Sequence, residues 1–185
     1  ICRFFAAHGF YVALIHRKTL KISPEHSIDR LELLLRQGVI RSRQVVDWLA
    51  THDRVDPNRL GGFGVSMGGI AAVILAAVEP RLRCHVAALA GGSIPDILLT
   101  SNDTLLTKPR RQYLLRNRMS LDTFAAELRQ SIRTDPIRLA PYVDARRLLL
   151  FTPLFDRTVG ARNALNYSLL RQVGAPRLPE EEPHA

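Results

Sequence analysis

The feature that most constrains this chain lies between Leu60 and Val78. A short glycine-rich strand pattern, Leu60 to Val65, runs directly into a helical pattern of small and apolar residues, Met67 to Val78, and only Ser66 stands between them. A second apolar strand pattern follows at Leu82 to Ala90 and is closed by Gly91-Gly92. Strand, helix and strand in that order imply a parallel pair joined by a right-handed crossover.

The same alternation extends outward. Ile1 to Ala7 is expected to be the last turns of a helix, with Gly9 in its cap. Phe10 to Ile15 is a continuous run of β-formers, expected to be a strand buried on both faces. Ile28 to Thr51 has helical periodicity, with Gly38 a candidate kink or break. Val55 to Arg59 is a turn, because Asp56, Pro57 and Asn58 all favour one. From Ser93 to Asp144 the pattern changes to short amphipathic helices punctuated by prolines. Arg147 to Phe155 is the next strand, and Ala161 to Val173 a helix ending at Gly174. The fold class is therefore α/β: a mostly parallel sheet with helices on both faces. Its expected parts are a core over 1–92, a helical cap insertion over 93–144, and the rest of the core with an acidic tail over 145–185.

A chain of 185 residues suits one domain, and 46% apolar with 23% charged residues is an ordinary globular composition. No apolar stretch is long enough to span a bilayer. The net charge of +9 raises nucleic acid as a partner. Against that, the arginines are spread along the whole length, and no basic run carries interleaved aromatics. Two cysteines, Cys2 and Cys84, form neither a disulfide framework nor a metal site, and each is expected to be a small buried apolar residue. There is no signal peptide, but the chain begins with Ile1, so its start does not reveal the compartment; the cytoplasm is slightly favoured.

Chemistry concentrates at Gly64-Val65-Ser66-Met67-Gly68, which fits the G-x-S-x-G nucleophile elbow, extended by Gly69. Such a serine sits on a strained strand-to-helix turn. Glycines two before and two after it let neighbouring backbones approach. The helix that follows aims its N-terminal amides at a developing oxyanion, and the Met67 N–H is the expected donor.

Val55 to Leu60 together with Gly64 to Gly69 resembles the elbow region of dienelactone-hydrolase-like and acyl-peptidase-like α/β hydrolases. The resemblance runs from about Gly9 to Gly174 and includes Gln44 to Leu49 and the Leu148 to Asp156 strand. It implies a Ser-acid-His order along the chain, an acyl-enzyme mechanism, a small-molecule acyl substrate and no cofactor. The acid then falls on Asp156 at the end of the Leu148 strand, with Asp135 and Asp144 as weaker candidates. His184 is the only histidine after Asp156, so it takes the place of the base, although Pro183 stands where the family often has glycine and the residues before it are polar. The resemblance further implies that Ile1 falls inside the family's first helix. The chain is then expected to be cut short at its N-terminus and to lack the loop carrying the second oxyanion donor. Lys108, Arg110, Arg111, Arg116 and Arg118 in the cap could face an anionic substrate, or form a solvated helix face. The alternative reading is a hydrolase-fold binding protein without activity, or an inactive fragment. Acyl group, leaving group and oligomeric state are not specified by the sequence.

Overall fold

A computed structural model describes residues 1–16, 22–23 and 25–151. Three strands, β1 (Leu60–Val65), β2 (Leu82–Ala88) and β3 (Leu148–Phe151), form one sheet in the order β1-β2-β3. Both pairings are parallel. Helix α3 (Met67–Val78) makes the crossover from β1 to β2. Helices α1 (Cys2–Ala7) and α2 (Asp29–Ala50) precede the sheet. Between β2 and β3 come α4 (Ile94–Thr100), α5 (Thr104–Arg116), α6 (Leu121–Ser131) and α7 (Pro136–Leu139). The class is α/β, as the alternation implies.

Residues paired across a parallel sheet share a face. Leu60, Gly62 and Gly64 therefore stand beside Leu82, His85 and Ala87, with Leu148 and Leu150 in the same row. This row meets α3. Ile70, Val73 and Ile74 of α3 are buried there with Ala87, and Leu148 and Leu150 pack against the same cluster. Phe124, Leu128 and Ile132 belong to that cluster and are fully buried. The helical insertion is thus built into the sheet's own core. A smaller cluster of Val46, Leu60, Leu75 and Leu82 packs α2 against the amino ends of β1 and β2.

The opposite row holds Gly61, Phe63 and Val65, Cys84, Val86 and Ala88, and Leu149 and Phe151. Here α1 reaches Phe63 through Phe5, with ring centroids 5.7 Å apart. Phe63, Val65, Leu149 and Phe151 nevertheless stay exposed. Among the described residues, then, the sheet is covered well on one face only. Cys84 is exposed for the same reason, and the expectation of two buried cysteines is corrected: Cys2 is only partly buried.

A second correction concerns residues 10–15, which form no strand. A strand exists where a neighbour continues its hydrogen-bond ladder, and among the described residues β1 pairs with β2 alone. Phe10, Tyr11, Val12, Leu14 and Ile15 are exposed instead. The segment is held at its start. Gly9, at φ 83°, closes α1 in a Schellman motif, with Phe10 N–H on the Phe5 carbonyl and Gly9 N–H on Ala6. Phe10 then packs edge-on against Phe5 at 5.5 Å. Tyr11 leans on the end of α2, its hydroxyl 2.9 Å from His52 Nε2. Gly38 does not break α2, which is continuous from Asp29 to Ala50.

The amino edge of the sheet is fastened by charge. Glu79 caps the C-terminus of α3, where the helix dipole disfavours an anion, and it is 1% exposed. Two guanidinium groups offset both penalties. Arg81 donates from Nε and Nη2 at 2.7 Å each, and Arg43 of α2 from Nε at 3.2 Å. Arg81 also bridges to Asp47 of α2 at 2.7 Å. The Arg81 hydrogen bonds hold the Glu79 carboxyl down at about 2, against an ordinary 4.5. The stability this contributes is present above pH 4.5 and is lost as pH falls toward 2. Glu79→Gln should lower the unfolding free energy at pH 7 by up to about 3 kcal/mol, less whatever solvent screening of the half-exposed arginines removes. The gap from wild type should close between pH 4.5 and pH 2, as read by denaturant melts across that range.

Candidate active site

Ser66 occupies the junction of β1 and α3 with φ 55° and ψ −123°. An L-residue rarely adopts this conformation, and holding it costs about 1–3 kcal/mol. Two backbone hydrogen bonds hold it. Ser66 N–H donates to the Ala88 carbonyl at 2.8 Å, and the Ser66 carbonyl accepts from Ile70 N–H at 3.0 Å. The residue is exposed at the carboxyl edge of the sheet. Met67 is the first residue of α3, so its amide belongs to the first turn, whose N–H groups have no acceptor within the helix. A hydroxyl on a strained turn and a helix N-terminus beside it are thus brought together as the motif requires.

The glycines explain how the turn closes, and they differ from the expectation at one position. A Cβ on Gly64 would lie 2.0 Å from the Gly68 carbonyl oxygen. One on Gly69 would lie 2.7 Å from the Ala88 carbonyl oxygen and 3.0 Å from Ala90 Cβ. At Gly68 a Cβ would meet nothing within 4 Å. The close approaches therefore fall on Gly64 and Gly69, while Gly68 stands in open space.

Asp156 and His184 lie outside the described residues. Of the weaker acid candidates, both serve the backbone. Asp144 pairs with Arg146 and Arg147 and caps the turn at Ala145–Arg147. Asp135, buried to 1% exposure, accepts from Ile137 N–H at 3.3 Å and from Ile94 N–H at 3.4 Å. One carboxylate oxygen thus ties the starts of α4 and α7 together.

Among the other histidines, His85 is buried in β2 with its Nδ1 unpartnered, and burial lowers its pKa from the ordinary value. It stands beside Gly62, four residues and about 13 Å along the strand from Ser66. His8 ends α1, with Nδ1 2.8 Å from the Phe4 carbonyl. In the insertion, Arg110 is engaged by the C-terminus of α4. Its Nη1 donates to the Leu98 carbonyl at 2.9 Å and also to Leu99. Arg116 approaches Glu25 at 3.9 Å. Among the described residues no cluster of His, Cys, Asp or Glu could hold a metal ion, and no helix is long and apolar enough to cross a membrane.

Sequence reasoning passed over Leu89. It follows β2 directly and has φ 54°. Leucine is not a residue that announces a left-handed backbone, so no sequence signal marks it.

Burial raises the Asp135 carboxyl to about 6, from an ordinary 3.8. Ionising it in the folded state is therefore penalised: the penalty is absent below pH 3.8, grows up to pH 6 and is complete above it. Asp135→Asn keeps an oxygen acceptor for both amides. It should be as stable as wild type or more so at pH 8, and should lose that advantage as pH falls to 4, in thermal melts at the two values.

No family model matches the chain and no curated protein matches it, so the site rests on its own geometry. That geometry is open to test through the glycines. Gly64→Ala and Gly69→Ala should each destabilise by about 3 kcal/mol or more, because backbone atoms cannot yield. Gly68→Ala should stay within about 1 kcal/mol of wild type, since alanine is the better helix former. Chemical denaturation of the three variants distinguishes them.

Proposed function

We propose that this chain is the core of an α/β-hydrolase-type serine hydrolase that cleaves a carboxylic ester or related acyl bond. The observation that carries the reading is the Ser66 conformation: φ 55° and ψ −123° on an exposed turn between a parallel strand and a helix N-terminus. Structural serines have no need of such strain, whereas a nucleophile that must stand clear of the sheet does.

In this reading Ser66 Oγ attacks the acyl carbonyl as its proton passes to an imidazole. The Met67 N–H steadies the oxyanion. The imidazolium then protonates the departing alcohol, leaving acyl-Ser66. Water, losing a proton to the same imidazole, attacks the acyl carbonyl; the imidazolium returns that proton to Ser66 Oγ as the bond to the serine breaks and the acid leaves. Asp156 is proposed as the group that orients the imidazole, and His184 as its source. The strand register supports Asp156. Phe151 of β3 stands beside Ala88, which stands beside Val65, so all three strands run toward the Ser66 edge. Two strand spacings separate β3 from β1, about 10 Å, and five residues of chain span up to about 18 Å.

The test is covalent labelling with a fluorophosphonate, together with hydrolysis of 4-nitrophenyl butyrate. Wild type should label at Ser66 and turn over the ester; Ser66→Ala should lose the label and fall to the uncatalysed rate. A folded wild-type chain that neither labels nor hydrolyses would overturn the reading.

A further inference from the structure

Leu89 stands one strand spacing from the nucleophile. Val65 pairs with Ala88, so the next residues along, Ser66 and Leu89, are neighbours across about 5 Å of backbone. Both have left-handed φ, 55° and 54°. Both are pinned by ladder hydrogen bonds at 2.8 Å, Ser66 N–H to Ala88 and Leu89 N–H to Phe151.

The kink at Leu89 changes where its side chain goes. Alternation along β2 puts His85 and Ala87 on the covered face, and an extended residue 89 would follow them into the core. Instead Leu89 is 39% exposed, while Ala90, Gly91 and Gly92 after it are buried. A branched apolar residue is therefore kept out of the core, at a backbone cost of about 1–2 kcal/mol, in a run of small residues where glycine would adopt the same φ freely.

We infer that Leu89 is a specificity-determining residue: its side chain is the apolar platform on which the acyl chain of a medium-length aliphatic ester lies while the carbonyl sits at Ser66. The inference rests on the proposed role of Ser66. An acetyl group is too short to extend over a neighbouring strand, whereas an octanoyl chain crosses it.

The experiment compares kcat/KM for 4-nitrophenyl acetate and 4-nitrophenyl octanoate in wild type, Leu89→Gly and Leu89→Asn. Both replacements accept a left-handed backbone, so both should fold. Glycine removes the side chain, and asparagine keeps its size but not its apolarity. In both variants the octanoate-to-acetate ratio should fall by about tenfold, with acetate turnover within about twofold of wild type. Equal losses for the two esters, or an unchanged ratio, with Ser66 still labelled by fluorophosphonate, would overturn the role of Leu89 and leave the hydrolase reading standing. Absence of labelling in wild type would overturn both.

Discussion

Everything at the carboxyl edge depends on how closely three stretches of backbone approach one another. Gly64 passes under the Gly68 carbonyl, and Gly69 lies against the Ala88 carbonyl. These contacts let α3 start immediately after β1 and let β2 lie flush beside both. A methyl group at either glycine would push the helix off the sheet. The Ser66 amide would then lose Ala88, and the strained φ would relax to an ordinary turn. The conformation of the serine is thus a consequence of clearance, enforced two residues before it and three after.

The two ends of α3 are stabilised by different physics. Its first turn leaves amides without intrahelical acceptors near Ser66. Its last turn is closed by a buried carboxylate gripped by two arginines, one of which reaches on to α2. An ion pair of this kind is strong mainly against loss of one partner. It fixes α2, α3 and β2 relative to one another at the edge away from the serine. Strain can then be tolerated at the other end, because the elements bearing it are already anchored.

The strand-helix-strand crossover was legible in the sequence because each signal there has one local cause. Small residues mark close approach, and Glu79-Pro80 and Gly91-Gly92 mark the ends. Met67–Val78 is the helix that the residues imply. Residues 10–15 show the limit. Their composition specifies a strand, but a strand is a relation between two segments, and composition does not supply the neighbour. The glycine motif shows a subtler limit. A pattern of identities singles out Gly68, with Gly69 as its extension, whereas the need for glycine depends on what faces each Cβ. For Arg110 the sequence offers a substrate-facing charge or a solvated helix face, because it does not show which carbonyls a helix end leaves open. Asp156 and His184 lie outside the described residues, so their part in the site stays a proposal.

Leu89 was illegible for a related reason. Its φ follows from neighbours on both sides: Phe151 holds its amide, and Ala88 just before it is held by Ser66. The chain must then turn at once into the buried Ala90 to Gly92 segment that leads to α4. Glycine would satisfy that turn with less strain. Two adjacent strand ends, each left-handed and each exposed, set a serine next to a leucine across the sheet. In an acyl hydrolase those are the two requirements of a substrate with a reactive carbonyl and an apolar tail. Sheet register brings them together, because parallel strands that end in step deliver their next residues to the same edge.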